Sequence, residues 1–369
     1  MKHQIILVGG QLLPALIGEK EFLPDKIHLL VSSESKSKTN SVKSSLSTAT
    51  ISENICNPFD FASVLAACEK ILNKLPASDE VLFNLTGGTK IMLLAAQSIM
   101  QERNLTGFYI NQDDTLIEIP SYTQKTIEAK VSIKEFLSLS GHVLSSFKTV
   151  ASFSSNDYFV SKKILDFCDR DYRYKLIMQH FSRGYKNTKE IPDSGAISLK
   201  NKIDFSWNKE TIKINGKNKF LLTLSSPIIK NLFFNSAWWE LVVAAEVAKY
   251  GKVKELYIQA ELPFKTDNHE LKNEIDILVN SGNKLIFIEC KSGKIRQEDI
   301  NKMKIVKDVY GGVISKSLLA CFEMPSPNIM EKCKELEIEV FCIKSGRFHV
   351  NPIGKINGAL EKLILRSSI

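Results

Sequence analysis

The sequence predicts a two-domain α/β protein, with a mostly parallel sheet in its N-terminal domain and the order αβββαβ in its C-terminal domain. Strand-like and helix-like segments alternate through the first 110 residues, which is typical of a doubly wound sheet covered by helices. From Asn235 onward the order changes to one helix and then three strands in succession. At 369 residues the chain is too long for one ordinary domain and suits two with a connecting segment.

The N-terminal domain is expected to span residues 1–137. Its predicted strands are Gln4 to Val8, Lys26 to Val31, Glu80 to Leu85 and Thr106 to Ile110, and its predicted helices are Phe59 to Leu75 and Thr89 to Arg103. In such a sheet, ligands bind beyond the carboxyl ends of the strands. The polar stretch from Ser32 to Ser47 is interpreted as a surface loop, with a lid that contacts a ligand as the alternative.

Residues 138–234 are expected to form a connecting module. Their pattern is irregular, with an aromatic and basic stretch around Tyr172 to Lys186 on a predicted helix and weak strands around Lys219 to Leu224. The sequence assigns this module no role.

The C-terminal domain is expected to span residues 235–369, and no internal repeat is present in the chain. Its predicted elements are a helix at Ala237 to Tyr250, strands at Lys254 to Ala260, Glu274 to Val279 and Lys284 to Lys291, a helix at Gln297 to Tyr310, a strand at Ser317 to Phe322, a helix at Asn328 to Leu336 and a strand at Glu339 to Ile343. This is the order of a mixed α/β domain.

Composition narrows the class of protein. No run of about 18 apolar residues occurs, and the N-terminus lacks a secretory pattern, so we expect a cytoplasmic protein. The seven cysteines form no CxxC pair and the six histidines lack HxxxH spacing, which makes a zinc site improbable. A net charge of +8 fits an anionic partner such as nucleic acid without requiring one.

Two acidic residues and a lysine lie on the predicted hairpin from Asn273 to Gly293. If Ser281 and Gly282 form a two-residue loop, Asn280 pairs with Asn283, and Asp276 lies across from Phe287 and diagonal to Glu289. Alternation along the strands then places Asp276, Glu289 and Lys291 on one face.

This arrangement can be explained in two ways. Carboxylates on strands that are otherwise apolar need a partner, and a divalent metal such as Mg²⁺ would serve, with Lys291 stabilising charge on a phosphoryl group. The alternative is an internal salt bridge with Lys291. Glu240, near the first turn of a helix that is apolar on nearly all sides, favours a metal or another cation nearby, although a glutamate there also suits the helix dipole.

The helix glutamate, the strand E-x-D-I-L-V and the strand I-E-C-K, in αβββαβ order, resemble the PD-(D/E)xK nuclease superfamily over residues 235–343. The resemblance implies a restriction-endonuclease-like domain in which Asp276, Glu289, Lys291 and Glu240 are catalytic. It implies metal ligation by Asp276, Glu289, Glu240 and the backbone carbonyl of Cys290. Ile275 stands where the name of the motif has proline. On the following helix, Gln297, Lys302, Lys304 and Lys307 could contact the substrate.

A second motif, FNLTGGTKIM, lies between a predicted strand and a predicted helix. The turn from Thr86 to Lys90 could be an anion-binding nest, because backbone N–H groups at a helix start and nearby glycines let a phosphate approach closely. A helix capped by Thr86 or Thr89 is the alternative, and it leaves only Lys90 unexplained. The spacing matches neither a P-loop nor a dinucleotide fingerprint.

The stretch N-L-T-G-G-T-K-I-M resembles the ligand motif of the CARF domain, a Rossmann-like sensor of cyclic oligoadenylates. Together with the C-terminal motifs it resembles the CRISPR ancillary nucleases of the Can2/Card family over nearly the whole chain. The resemblance implies a homodimer that encloses one cyclic oligoadenylate, most often cyclic tetra-adenylate. The residues that would contact this ring are Gly87, Gly88, Thr89 and Lys90, with Gly9, Gly10, Gln11, Ser32 and Ser33 matched by location alone.

The resulting hypothesis is a type III CRISPR-associated nuclease that is switched on by its ligand. Binding would reorient the nuclease domains, which then cut DNA or RNA, and in particular single strands, with Mg²⁺ or Mn²⁺. One alternative is a non-catalytic regulator that senses nucleotides, and another is a restriction-type endonuclease that needs no ligand.

Overall fold

The computed structural model describes residues 1–365, with gaps at 11, 35, 49, 112–114, 200–202, 217–219, 265–270, 283, 313–314 and 347. Within that part of the chain, none of the helices combines the length and apolarity needed to cross a bilayer.

The N-terminal part is a seven-stranded sheet with helices packed on it, and the predicted mostly parallel sheet is confirmed. Strands β1 to β5 are parallel in the order β3-β2-β1-β4-β5, and β6 and β7 add an antiparallel edge. The strands are β1 Lys2–Leu7, β2 Lys26–Val31, β3 Thr50–Ile55, β4 Glu80–Asn84, β5 Thr106–Ile110, β6 Thr115–Ile119 and β7 Gln124–Thr126, and the helices are α1 Leu13–Phe22, α2 Lys36–Ser45, α3 Phe61–Leu72, α4 Lys90–Glu102 and α5 Ile133–Leu139.

The interpretation of residues 32–47 as a plain surface loop is wrong, because they contain the helix α2. Its residues are mostly polar, but Thr39 is fully buried, and Ser45 Oγ lies 3.1 Å from Ser138 Oγ near α5. Packing against a neighbouring element therefore decides the structure here, rather than the low helix propensity of serine, threonine and asparagine.

The middle of the chain forms a separate antiparallel sheet of four strands in the order β12-β11-β10-β9. Its strands are β9 Gly195–Leu199, β10 Ile203–Trp207, β11 Thr211–Gly216 and β12 Phe220–Ser225, and the helices α6 Ser155–Arg170, α7 Arg173–Gly184 and α8 Ile229–Phe234 accompany them. A short strand, β8 Ser146–Lys148, instead pairs with the edge of the C-terminal sheet.

The C-terminal sheet has seven strands in the order β18-β17-β16-β15-β14-β13-β8. Strands β13 to β15 are antiparallel, whereas β15, β16 and β17 run parallel. The strands are β13 Glu255–Pro263, β14 Leu271–Asn280, β15 Leu285–Lys291, β16 Lys316–Glu323, β17 Ile338–Ser345 and β18 Phe348–His349, and the helices are α9 Ala237–Val247, α10 Gln297–Val306, α11 Pro327–Glu335 and α12 Ile356–Leu365. The helix predicted to continue to Tyr310 ends as an α-helix at Val306 and continues as a π-helical turn, Lys307–Gly311.

The two large sheets share apolar core. One continuous cluster includes Leu29 of β2, Phe136 and Leu137 of α5, and Leu278 and Phe287 of the C-terminal hairpin. The α5 helix is also bonded to the C-terminal sheet, because the amide of Ile133 donates to a Glu255 carboxylate oxygen at 2.6 Å. Movement at the N-terminal sheet therefore has a packed route to the C-terminal sheet through α5.

Candidate active site and glycine turn

The register of the C-terminal hairpin differs from the predicted one. Asn280 pairs with Leu285, and Leu278 rather than Asp276 lies opposite Phe287. The predicted partner of Asn280, Asn283, lies outside the described residues. The difference arises at the turn, where the Asn280 side chain accepts from the Gly282 amide at 2.9 Å and Ser281 N donates to Lys284 O at 3.1 Å. These bonds favour a wider connection than a two-residue loop.

The corrected register brings the predicted acidic residues closer together. The ladder ends at the pair Ile277 and Ile288, and continuing the same register by one residue on each strand places Asp276 opposite Glu289. Asp276 Oδ2 also accepts from the Cys290 amide at 2.7 Å. We call Glu240, Asp276 and Glu289 the carboxylate cluster.

Lys291 forms the salt bridge that the sequence left open as an alternative. Its Nζ lies 2.7 Å from Glu289 Oε1 and 3.4 Å from Asp299 Oδ1 at the start of α10. Burial lowers the pKa of Lys291, but Glu289, Asp299 and Asp276 together raise it above the usual value for lysine. The ammonium group therefore stays protonated, which suits a residue that stabilises negative charge.

Glu240 on α9 is held by a residue that the sequence did not single out. Gln259 Nε2 donates to Glu240 Oε2 at 2.9 Å, and Gln259 Oε1 accepts from Lys148 Nζ at 2.7 Å. Gln259 has a φ of 52°, in the left-handed region, and the pairing register between β13 and β8 shifts between Ile258 and Glu261, on either side of it. An irregularity of this kind re-aims a side chain and is common beside active sites.

The like charges of the carboxylate cluster are not balanced by Lys291 alone. Burial, followed by Glu289 and Glu240, raises the pKa of Asp276 well above its usual range. Burial raises the pKa of Glu240 to about 7, with Glu274 and Glu289 adding to the shift against the Gln259 bond. These carboxylates are crowded and partly desolvated, and a bound cation would relieve the repulsion between them.

The donor set fits a hard divalent cation that keeps water ligands. Among the described residues, no group of three or more His, Cys, Asp or Glu side chains is arranged closely enough to form an ion cage by itself. Mg²⁺ does not need such a cage, because it binds through one or two carboxylates and retains several waters. Asp276 and Glu289, which face each other, supply that pair.

The candidate substrate contacts on α10 differ in their availability. Lys304 and Lys307 both pair with Asp308, at 2.8 Å and 3.2 Å, so they share one carboxylate that compensates part of their charge. Lys302 is exposed and borders a small groove together with Glu289. Gln297 is exposed at the first position of the helix.

At the N-terminal sheet, the glycines are required by close backbone approach. A Cβ on Gly87 would lie 2.0 Å from the Leu7 carbonyl oxygen, and one on Gly9 would lie 2.6 Å from the Gly88 amide nitrogen. Gly88 has a φ of 76°, which side chains rarely tolerate. The loop after β1 and the turn after β4 are therefore packed together, as expected for adjacent strand ends.

The turn from Thr86 to Lys90, which we call the glycine turn, also contains the predicted helix cap. Thr89 is the N-cap of α4, where its Oγ1 accepts from Met92 N at 3.2 Å and donates to Pro58 O. Thr86 Oγ1 accepts from Ile110 N at 2.9 Å. Lys90 is the exposed first residue of the helix. The cap explains the threonines and the close approach explains the glycines, but neither accounts for Lys90.

The weaker ligand candidates lie at the same edge of the sheet. A Cβ on Gly10 would meet nothing within 4 Å, so this glycine faces open space. Ser32 and Ser33 directly follow β2, which neighbours β1, and Ser33 is exposed. Gln11 lies outside the described residues.

Comparison with known families identifies a domain in the N-terminal part of the chain and another in the C-terminal part. Residues 4–136 match the family model of the Card1 CARF domain, and residues 229–345 match that of the Card1-like endonuclease domain. The chain belongs to the Can2/Card family. The N-terminal sheet therefore belongs to a CARF domain, and the C-terminal sheet belongs to an endonuclease domain. No curated protein matches the sequence.

Solved structures with the same fold extend over almost the entire chain. Can2 from Sulfobacillus thermosulfidooxidans, solved in complex with cyclic tetra-adenylate, is 19% identical with a TM-score of 0.73, and the match covers 99% of this chain and 100% of that one. Protein VC1899 from Vibrio cholerae is 12% identical with a TM-score of 0.74, covering 98% and 97%. A type III CRISPR defence DNA nuclease activated by cyclic oligoadenylate is 14% identical with a TM-score of 0.59, covering 98% of this chain and 51% of that one. At these identities the likeness shows the fold alone.

Proposed function

We propose that this protein is a metal-dependent endonuclease of the PD-(D/E)xK superfamily that hydrolyses phosphodiester bonds of DNA, RNA or both. The observation that carries the proposal is the meeting of Asp276, Glu289 and Lys291 at one end of the hairpin, in a domain matched by an endonuclease family. The activator would be a cyclic oligoadenylate bound by the CARF domain, and cyclic tetra-adenylate is the first candidate because Can2 was solved with it. The biological setting would be antiviral defence alongside type III CRISPR complexes, in the cytoplasm.

The metal would be Mg²⁺ or Mn²⁺. Asp276, Glu289 and the backbone carbonyl of Cys290 would hold it, with Glu240 behind them on α9. A metal bound there would polarise the phosphoryl oxygen and make water a better nucleophile near neutral pH. Lys291, kept protonated by its acidic neighbours, would stabilise the charge that develops on the phosphate.

The activator would lie against the glycine turn. Gly87 and Gly88 have no side chain to cover the backbone N–H groups at the start of α4, where Thr89 is the N-cap, so a phosphate could approach them. Lys90 would add a charge-assisted contact. Gly9, Gly10, Gln11, Ser32 and Ser33 complete the proposed contact set.

Activation would require a dimer of two chains whose nuclease domains can adopt an active and an inactive arrangement. We propose a homodimer whose CARF domains enclose one ring, with closure transmitted to the nuclease domains along the core that passes through α5. The ligand can switch the enzyme only if it binds the active arrangement more tightly than the inactive one.

The test is cleavage of a labelled single strand with Mg²⁺ or Mn²⁺, in the presence and absence of cyclic tetra-adenylate. We expect cleavage only when both are present. Lys90→Ala should require about tenfold more activator, the loss expected for one charge-assisted contact, whereas the exposed Lys74→Ala should behave as wild type. Equal cleavage without the ring would favour a ligand-independent restriction-type enzyme, and ring binding without any cleavage would favour a non-catalytic regulator.

A further inference from the structure

A cavity of about 1210 Å³ lies between α7 and the carboxyl ends of β15, β16 and β17. Its wall includes Ser292 and Gly293, which directly follow Lys291, and Trp238, which lies two residues before Glu240 on α9. The cavity therefore borders α9 and the end of β15, the elements that carry Glu240 and Glu289, although these two carboxylates do not themselves line it. It is larger than the roughly 300–1,000 Å³ of a typical small-molecule site. We call it the module cavity.

The helix α7 forms one wall of the module cavity and is hydrogen-bonded to α9, the helix that carries Glu240. The Tyr174 hydroxyl accepts from Trp238 Nε1 at 3.1 Å and donates to the Phe233 carbonyl at 3.2 Å. Tyr174 also packs edge-on against the Trp238 ring, with 6.2 Å between centroids. Because α7 is anchored in this way, the residues at its N-terminal end have a defined position relative to Glu240.

The walls offer an exposed aromatic ring and uncompensated positive charge. Tyr172, at the N-terminus of α7, lines the module cavity and is 59% exposed. Lys175 and Lys294 also line it, are exposed, and form no ion pair within the described part of the chain. Met324 adds an exposed apolar side chain on the opposite wall.

Most of the acidic groups in the module cavity already have partners. Asp171 pairs with Arg173 at 2.5 Å, and Asp169 pairs with Lys344 at 3.2 Å and with His349 at 2.8 Å. Glu323 is the remaining acid on the rim. The surface that a ligand would meet thus carries a positive balance.

We propose that the module cavity binds the unpaired bases of a single nucleic-acid strand whose scissile phosphate lies at the carboxylate cluster. Tyr172 is the stacking platform for one base, and Lys175 and Lys294 contact the phosphates beside it. This inference rests on the proposed nuclease function with a single-stranded substrate, and it adds the part that the connecting module plays in binding that substrate. A free aromatic face with nearby lysines is how proteins hold single strands, whereas the base faces of a duplex are covered by their neighbours.

The first experiment measures binding without cleavage. A fluorescein-labelled 20-nucleotide strand is titrated with the full-length protein, cyclic tetra-adenylate and EDTA, and binding is followed by anisotropy. Tyr172→Ala should weaken binding by about tenfold or more, the loss usual for one stacked base, and Tyr172→Trp should restore it. The matched control is Tyr122→Ala, because Tyr122 is 67% exposed on the CARF sheet and should not affect the affinity. Wild-type affinity in Tyr172→Ala would overturn the proposal.

The second experiment identifies the stacked base. A single abasic site is moved along the strand, and wild type should lose affinity at one or two positions. In Tyr172→Ala those positions should cause little further loss, because the base and the ring act as one pair. The same losses in wild type and variant, or equally tight and equally Tyr172-dependent binding of a duplex, would contradict the assignment.

These results can be separated from the fate of the proposed function. If wild type cleaves with its activator while Tyr172→Ala binds normally, the nuclease assignment stands and the module cavity loses its role. If wild type never cleaves but the abasic coupling is present, the module cavity assignment stands and the catalytic proposal fails.

Discussion

The glycine turn and the carboxylate cluster lie at the ends of strands in two different sheets, but they differ in how far the protein alone satisfies them. In the glycine turn, Thr86 and Thr89 accept backbone N–H bonds, and the glycines fill the space that close packing leaves. In the carboxylate cluster, Asp276 and Glu240 both have raised pKa values, first through burial and then through neighbouring acids. The hydrogen bonds and packing of the glycine turn satisfy it within the protein, whereas the carboxylate cluster would be stabilised by the cation that we propose for it.

This difference separates two kinds of functional signal. In a turn that is also a good helix cap, only a residue that capping does not explain indicates a ligand. In the glycine turn that residue is Lys90. A cluster that stores electrostatic repulsion points to function more directly, since the fold would be more stable without it. Substitutions should therefore cost stability in the turn and activity in the cluster.

The largest effect is expected from Glu289→Gln. Removing this charge should lower cleavage by about a thousandfold or more, as for other groups that act on charge in the transition state. The melting temperature should stay constant or rise, because one of the repelling charges around Asp276 is gone. Cleavage assays and calorimetry check both parts, with cyclic tetra-adenylate binding as the control that should be unchanged. Residual cleavage near the wild-type rate would exclude Glu289 from the site.

Gln259→Leu should have the next largest effect. This change removes the amide that orients Glu240, and supporting residues of this kind typically cost about 10- to 100-fold in activity. We expect kcat to fall with little change in KM, measured by cleavage kinetics at saturating activator. Gln101→Leu, at the exposed end of α4, is the control. A change in KM alone would mean that Gln259 acts on the substrate rather than on Glu240.

The glycine turn is tested by a matched pair of alanines. In Gly87→Ala the new methyl would lie 2.0 Å from the Leu7 carbonyl oxygen, so the backbone must move, and we expect a loss of about 1–3 kcal/mol in the free energy of unfolding. Gly10→Ala meets nothing within 4 Å and should leave stability unchanged. Urea denaturation compares the two. If Gly10→Ala keeps its stability but loses affinity for the ring, the ligand occupies the open space beside Gly10.

Much of the fold follows from the sequence, because long apolar runs and their spacing mark most strands and helices. The sequence misplaced features set by single polar contacts. The Asn280 side chain widened the hairpin turn and moved Asp276 opposite Glu289. The strand β3 is half-exposed and polar, so its sequence contains no apolar run that would predict a strand.

Only part of the candidate site could be predicted from the sequence. Asp276, Glu289 and Lys291 stood out as charges on apolar strands, and the structure brings them together. Gln259 could have been noticed as an amide in the run Leu256 to Leu262, but its left-handed φ and its bond to Glu240 depend on how β13, β8 and α9 pack. Periodicity along one strand carries no information about such contacts.

The smallest effect concerns the amino-terminal ends of β1 and β2 in the CARF sheet, opposite the strand ends that carry the glycine turn. His28 Nε2 lies 2.9 Å from His3 Nδ1, and His28 Nδ1 lies 2.8 Å from Ser52 Oγ. Burial, with His3 and Lys26, lowers the pKa of His28 from 6.5 to about 4. The unfolded chain therefore takes up this proton at a higher pH than the folded one, so the contribution of His28 is fully present above pH 6.5 and is lost as the pH falls toward 4.

Urea denaturation at pH 7 and pH 5 should show this loss, and His28→Gln should reduce it. The NMR titration of the His28 ring gives the direct measurement. A midpoint near 6.5 would mean that the ring is as solvated as in the unfolded chain, and the acid sensitivity of the CARF domain would then need another source.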